Sequence, residues 1–495
     1  MFVDTGALET GVRTMKYLGR AVMVAAVVSL AMTLPAFAIA SPTWTTARQV
    51  ALPTGATGIP DGFFSSLTCT SPGDCEAAGS YSNGGGQILG LIANESSGRW
   101  TAPVSLEAPA GAAGNQGVTV YGVSCGVAGN CAAVGSYENG HGDTVAFVDN
   151  ERGAHWLRAK ALPLPVNALV RRQNALVRSV SCSSANTCSA IGTYQDNNPV
   201  GTRTQGFVAN ERNGIWSRAR QISLPASNFN PFVSLSQIAC SSSADCVGVG
   251  SFINSNDVTE ALVVNEVGGV WHRAQALTLP TTASRFADAS VTEVTCLKDS
   301  SCAAFGTFNA TSGATEAMSA SESGGVWATA SALAMPTNAA TNPHVFLFGF
   351  GGIACATTDN CSVGGQYKDS TGDYQGFLEN EANGVWSPAT EVTLPTNGNS
   401  GGQNGGIVAI SCPSLGACQA SGSYLDSSGN YQAVVFSETD GVWQRGTEVT
   451  LPSGAGSVGV DGGIYAINCT SATSCVGVGS YLQGTNTYEG FTLDS

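Results

Sequence analysis

"SPTWTTARQVALPTG" occupies Ser41–Gly55 and reads as the end of a repeating unit, not as its beginning. Its W-x8-P pattern, Trp44 to Pro53, returns seven more times, always late in a longer repeat, as in "WSRARQISLP" and "WQRGTEVTLP". The other end of the chain explains why. The last repeat closes on "YEGFTLDS", which aligns with "YQGFLENE" at Tyr374–Glu381 and puts Ser495 in the column of a turn acid. What that repeat lacks is G-x-W-x8-P, and Trp44–Pro53 supplies it.

The repeat is set by cysteine. All 16 fall into C-x5-C pairs: Cys69/Cys75, Cys125/Cys131, Cys182/Cys188, Cys240/Cys246, Cys296/Cys302, Cys355/Cys361, Cys412/Cys418 and Cys469/Cys475. Successive pairs lie 56 to 59 residues apart, and each second Cys opens C-x3-G-[STQ]-[YF]. Internal periodicity of this length marks a repeat architecture. Every unit divides into four short apolar runs separated by Gly, Asn, Asp and Ser, the residues of turns between strands. The first run enters the first Cys and the second leaves the second Cys. The third is "QGFVANE"-like, and the fourth carries Trp.

Four strands per unit, eight units and a last unit completed by the first residues predict an all-β, eight-bladed β-propeller over 41–495. An open solenoid would need capping units at both ends, whereas a ring joined by main-chain hydrogen bonds leaves no free edge. The cysteines read as disulfide staples flanking the turn between strands one and two, since the chain has only four His and the spacing suits neither zinc fingers nor redox pairs. The recurring Trp is expected to pack between blades. Glu95, Glu151, Glu211, Glu266, Glu322, Glu381 and Glu438 recur once per blade, which suggests turn or solvation residues.

Residues 1–40 read as a secretory signal peptide. Arg13, Lys16 and Arg20 precede "AVMVAAVVSLAMTLPAFA", which ends in small residues. An uncleaved anchor is the alternative. Met15 offers a second start. A net charge of −15 disfavours nucleic acid, and no later apolar stretch is long enough to span a membrane.

The turn before Trp, "VNEVGGVW" or "FSETDGVW", resembles an Asp-box of sialidase-like propellers, with Glu where that motif has Asp. The stapled unit as a whole, residues 41–495, is similar to repeats of secreted bacterial propellers of uncharacterised function. Both resemblances imply the fold, and the second implies export. Eight-bladed quinoprotein dehydrogenases also place Gly and Trp at this turn, but their adjacent-cysteine pair is absent.

Function belongs where the repeats differ. The loops after each Pro hold "DGFFSS", "NFNPFVS" and "NPHVFLFGFGG". Phe346, Phe348 and Phe350 alternate beside His344, which reads either as a longer first strand packed inside the ring or as an apolar recognition patch. The column eight residues before each first Cys holds Asp61, Asn174, Asp288, Asn404 and Asp461, with Gly117, Phe232 and Leu347 elsewhere. Converging oxygens there would take Ca²⁺ or a polyol; as ordinary turn residues they need no ligand, and no other cofactor is predicted. Ten of the 20 Lys and Arg lie between Arg152 and Arg220, including Arg171, Arg172 and Arg178, a patch for an anionic glycan or partner or simply a solvated edge. The four His form no Ser/His/Asp set. The expected role is a secreted, non-enzymatic module binding an extracellular glycan or protein. The alternatives are a glycoside hydrolase or lyase using Asp61 with Asp461, and a purely structural envelope component.

Overall fold

Each repeat folds into one antiparallel sheet, and eight sheets arranged around an axis make an eight-bladed β-propeller without helices among the described residues. The computed structural model describes residues 42–495 except 54–55, 57–60, 84, 115–116, 199–200, 226–231, 350, 400–404, 456–460 and 485–486. The leader reading lies outside these residues. Blade three shows the plan: Leu176–Ser184, Thr187–Gln195 and Thr204–Arg212 pair in order outward, followed by an outer edge in two pieces, Ile215–Trp216 and Arg220–Gln221. Apolar side chains fill the seams between blades, and every one of the eight seams has its own buried cluster.

The ring closes as the leading segment requires. Arg48 and Gln49 pair antiparallel with Thr492 and Phe491. The Thr45 N–H donates to the Asp494 carbonyl at 2.8 Å and the Val50 N–H to Gly490 at 2.9 Å. Trp44 and Ala47 pack with Val435, Tyr481 and Phe491 in the seam of blades seven and eight, and Val50 continues into the seam with blade one, beside Phe64 and Leu91. Ring closure therefore buries apolar surface in two seams besides completing a ladder.

The outer strand is broken for a physical reason. Three residues after each Trp the backbone turns its N–H to the preceding blade. The donors Ala47, Ala159, Ala219, Ala274, Ala330, Ala389 and Gly446 reach Thr450, Glu107, Pro163, Ser223, Thr278, Ala334 and Thr393 carbonyls at 2.8–3.1 Å. Blade one has Pro103 in this place, which has no N–H to give.

Seven of the eight disulfides join directly paired residues of strands one and two, and Cys412–Cys418 lies one step beyond the Ser411–Gln419 pair; Cα–Cα separations are 3.9–4.1 Å throughout. The pairing is as expected, but the two halves of each staple differ in setting, which corrects the view of them as turn staples alone. The second cysteines, Cys75, Cys131, Cys188, Cys246, Cys302, Cys361, Cys418 and Cys475, are all buried, with exposures of 2–7%. They are core residues. Cys188 packs with Val180 and Trp216, Cys246 with Ile238 and Trp271, and Cys418 with Ile410 and Trp443. Cys475 packs with Ala409, Ile467 and Trp44, so it belongs to the ring closure as well. The first cysteines are half-buried except Cys469, which is also enclosed. None of the sixteen sulfurs is free, and these cysteines are structural residues apart from any ligand site. Their side chains face the seams because the second strand of each blade is packed on both faces.

The C-x3-G glycine has an equally local cause. The first strand carries a β-bulge, at Ser65 in blade one and Arg178 in blade three, that pushes a carbonyl toward strand two. A Cβ on Gly79 would lie 1.9 Å from the Phe63 oxygen, and one on Gly192 would lie 2.1 Å from that of Leu176. Only glycine fits under the bulge. The following aromatic, Tyr194 or Tyr424, is fully buried and donates its hydroxyl to Asn167 or Asn397 on the link between blades.

The seven turn glutamates are not solvation residues: all are buried, with exposures of 1–7%. In three blades they belong to a latch across the seam. Asn150 of blade two accepts the Trp216 indole N–H of blade three at 2.8 Å and gives its own amide N–H to Glu211 at 2.5 Å. Asn210 does the same for Trp271 and Glu266, and Asn380 for Trp443 and Glu438. Where the column holds Ser437 instead, the Trp44 indole has no partner. A turn acid beside an exposed-looking Gly is thus a buried acceptor.

The bulge predicts a sharp mutational contrast. Gly192→Ala should lower unfolding stability by about 2–3 kcal/mol through overpacking against main chain. Gly114→Ala, where an added Cβ meets nothing within 4 Å, should be near neutral. Chemical denaturation of both variants checks this.

Candidate functional site

The inner strands start on the face that also carries the links between blades and the turns between strands two and three. Asp61 and Asp461 stand there, both exposed, and both lean on one residue. Asp61 Oδ1 accepts the Tyr488 backbone N–H at 3.0 Å, while Asp461 Oδ2 accepts the Tyr488 hydroxyl at 2.5 Å. The same capping recurs without Tyr: Asp288 Oδ1 accepts the Thr259 N–H, and Asn342 Oδ1 accepts the Thr315 N–H. At these three junctions, Asp61, Asp288 and Asn342 tie the entry of an inner strand to the third strand of the blade before it. Asn404 lies outside the described residues.

In blade six the eight-residue count misplaces the column. Phe346 pairs with Gln366, but pairing resumes only at Gly352 with Gly364, so five residues fill the place of one paired residue and one bulged residue. Leu347 is therefore a core residue, and Pro343–His344 occupy the position corresponding to Asp61. Val345 and Leu347 are buried; His344 and Phe346 are exposed. Phe346 and Phe348 meet edge to face at 5.1 Å. The expected continuous strand through 346–350 is thus corrected: the chain leaves the sheet after Phe346. Phe350 lies outside the described residues.

The enlarged bulge rests on Glu293 of blade five. This carboxyl is buried and faces the backbone amides of Gly352, Ile353, Gly349 and Gly351, while its Oε2 makes no direct hydrogen bond. It belongs to a column in which Ser66, Ser179 and Gln237 accept N–H groups of Val123, Ile238 and Val294 in the next blade.

Blades seven and eight carry Gly406 and Gly463 where blades one and six carry Phe63 and Phe346. Rings from elsewhere occupy the vacated space. A Cβ at Gly406 would lie 2.7 Å from the Phe348 ring, and one at Gly463 would lie 3.2 Å from the Tyr465 ring. Phe346, Phe348, Tyr465 and Phe63 thereby form an aromatic arc over four consecutive blades, with Phe346 54% and Phe63 42% exposed. The arc was partly legible: "NPHVFLFGFGG" and "DGFFSS" flagged its blade-six and blade-one ends, but Tyr465 and the link between them needed the neighbouring blades.

The arginines divide. Arg171 pairs with Asp143 at 3.0 Å, and the Arg172 N–H donates to the same carboxylate at 2.9 Å, which fastens blade three to blade two. The Arg172 N–H, together with Asn139 and the Arg171 guanidinium, holds Asp143 below the usual range despite its burial. Arg152 and Arg218 donate to the Gly214 and Leu164 carbonyls. Arg178 differs. It lines a cavity of about 400 Å³ on the ring axis, built by the inner strands of seven blades, and is the sole charged residue of that lining among the described residues.

Sequence comparison finds no matching family model and no matching curated protein. Solved structures are similar in fold. An ulvan lyase of polysaccharide lyase family PL25, bound to -[GlcA(1-4)Rha3S]-, is 10% identical over 73% of this chain and 89% of its own, with a TM-score of 0.43. An α-L-arabinanase of Penicillium chrysogenum is 10% identical over 68% and 98%, with a TM-score of 0.35. A sialidase of Trypanosoma rangeli is 9% identical over 79% of this chain and 56% of its own, with a TM-score of 0.34. At this distance the likeness says nothing about residues or activity.

Carboxyls raised by burial sit mainly in the blades and seams, and Glu489, next to Tyr488 and near Asp61, is raised by burial at the rim itself. Burial pushes Glu293 up to about 7, and with help from neighbouring acids does the same to Glu95 and Glu381. Asp149 and Glu379 are pushed to about 8, again by burial. Glu76 and Glu151 bring carboxyl oxygens within 4.8 Å between blades one and two, and burial raises both. In the opposite direction, hydrogen bonds from Gln375 and Thr371 and from main-chain N–H groups outweigh the burial of Asp369 and hold it near 2.

The sign follows. The raised groups bind more protons folded than unfolded, so their contribution is full below about pH 4 and is lost as pH rises through 7–8. Asp369 and Asp143 act oppositely, losing their contribution as pH falls below about 4. Melting temperature should therefore peak near pH 4–5 and fall toward pH 8. Fully buried Glu293 contributes on the order of 3 kcal/mol of that fall, so Glu293→Gln should flatten it. Calorimetry of both proteins across this range checks the slope.

Proposed function

We propose that the protein is an extracellular glycan-binding propeller, holding a saccharide on the aromatic arc at the channel mouth. The observation that carries this reading is the arc itself, Phe346, Phe348, Tyr465 and Phe63. Sugar rings present C–H faces that lie flat on aromatic rings, and hydroxyls that need oriented polar partners. Phe346 and Phe63 supply exposed ring surface. Asp461, Asp61 and Tyr488 stand at the rim of blades eight and one, where their oxygens can accept or donate to hydroxyls. Two glycines in consecutive blades clear the width that the rings occupy. A concave site with apolar walls and a few polar groups is the usual form of a small-ligand pocket. Eight disulfides and a leader-like N-terminus agree with an oxidising, extracellular setting.

Binding is favoured over hydrolysis by what lines the channel. No carboxylate borders the axial cavity among its lining residues, and Asp61 and Asp461 are each bonded to Tyr488 on an open surface. A hydrolase would need two carboxyls facing one bond. Ca²⁺ at the Asp461–Asp61 rim would add polyol affinity, with Tyr488 already occupying one oxygen of each acid.

Phe346→Ala should weaken oligosaccharide binding about tenfold while leaving the melting temperature unchanged, because the ring is more than half exposed. Titration calorimetry on hits from an oligosaccharide panel measures the first, and chromatography of the same sugars after incubation detects cleavage. A panel without binders would sink the reading, and released fragments would move it to the enzyme alternative.

A further inference from the structure

We infer that the saccharide held at the mouth is anionic, and that its carboxylate or sulfate is seated on Arg178 inside the channel. This deepens the glycan-binding reading and rests on it.

The bulged residues of blades one to four, Ser65, Tyr121, Arg178 and Ser236, line the channel wall. Those of blades five, seven and eight are Thr292, Val408 and Tyr465, and apart from Arg178 none of these is charged. Blade three alone delivers a cation. Arg178 makes no ion pair among the described residues, and its one marked contact is the Tyr121 ring, 5.6 Å from the guanidinium carbon. That contrasts with Arg171, Arg158 and Arg212, each paired with a carboxylate. Arg178 is exposed and faces a cavity with no acid among its lining residues, on a chain of net charge −15.

The cavity suits a bound anion in other ways. Ser65 Oγ lies buried in its wall with no hydrogen-bond partner, a donor ready for an oxygen. The guanidinium fork binds carboxylate or sulfate oxygens in pairs. Glu293 faces the amides of Gly349 and Gly351 and is not among the residues of the cavity wall. The volume, about 400 Å³, is that of a small-ligand site. Phe63 borders the same cavity and belongs to the arc, so one ligand can reach from ring to guanidinium.

The test titrates the full chain with D-glucuronate, D-glucose 6-sulfate and D-glucose, followed by ligand-observed NMR. Wild type should bind at least one anionic sugar about tenfold tighter than glucose, and which one it holds distinguishes carboxylate from sulfate. Arg178→Gln should reduce the anionic sugars to the glucose level and leave glucose and the melting temperature alone. Arg178→Lys, which keeps charge but loses the fork, should fall between. Phe346→Ala should weaken all three sugars together. Equal binding of the three by wild type, or an Arg178→Gln protein that still prefers the anion, overturns the inference while leaving the glycan reading standing. Failure of all three sugars to bind overturns both.

Discussion

Main-chain pairing between residues 45–50 and 490–494 is the constraint on which the molecule depends. Its ends are more than 440 residues apart in sequence, as in the Thr45 hydroxyl donating to the Asp494 carbonyl. Each such hydrogen bond is worth only about 1 kcal/mol net. The larger effect is the burial that comes with it. Trp44, Ala47 and Val50 complete two seams, and without them blade eight would present a bare edge strand and blade one an open apolar face. A toroid cannot be partly closed, so a short segment decides the state of the whole ring.

Once closed, the ring imposes sameness. Bulge, glycine, stapled turn, buried tyrosine and outward-turned alanine recur because every blade meets its neighbour in the same way. Departures from that pattern are where ligand chemistry can enter. Three of them converge at one mouth: the enlarged bulge of blade six, the paired glycines of blades seven and eight, and the single cation among the bulged residues. Gly406 and Phe348 show the coupling, since the ring from blade six fills the space the glycine leaves in blade seven.

How much of this the sequence discloses follows from the same logic. The cysteine pairs, the Trp column and the split last blade are periodic, so strand number and closure can be read directly. That Cys188, Cys246, Cys418 and Cys475 are seam core as well as staples could not be read from the pairing, because spacing gives a partner and not a packing direction. The latch role of Glu211 or Glu266 was equally hidden, because the acid's partner is an Asn in another repeat, 56 to 61 residues away. The recurring Asn-Glu dipeptide was the available signal. Counting back from Cys355 failed in blade six because a bulge of unequal length leaves the cysteine spacing almost unchanged. The Gly-rich "FGFGG" marked the anomaly without giving its register. Arg178 was visible only as one of several basic residues. Its difference from Arg171 lies in what surrounds it, an axial cavity against an Asp143 carboxylate.

The most direct measurement is native-state hydrogen exchange of the Thr45 and Val50 amides. In closed blades their counterparts are Ser217 and Ile222, which donate to Asn210 and Gly206. The closed ring predicts that Thr45 and Val50 exchange as slowly as these two, with protection lost only in global unfolding. Exchange of Thr45 and Val50 at the rate of an unstructured chain, while Ser217 and Ile222 stay protected, would contradict it.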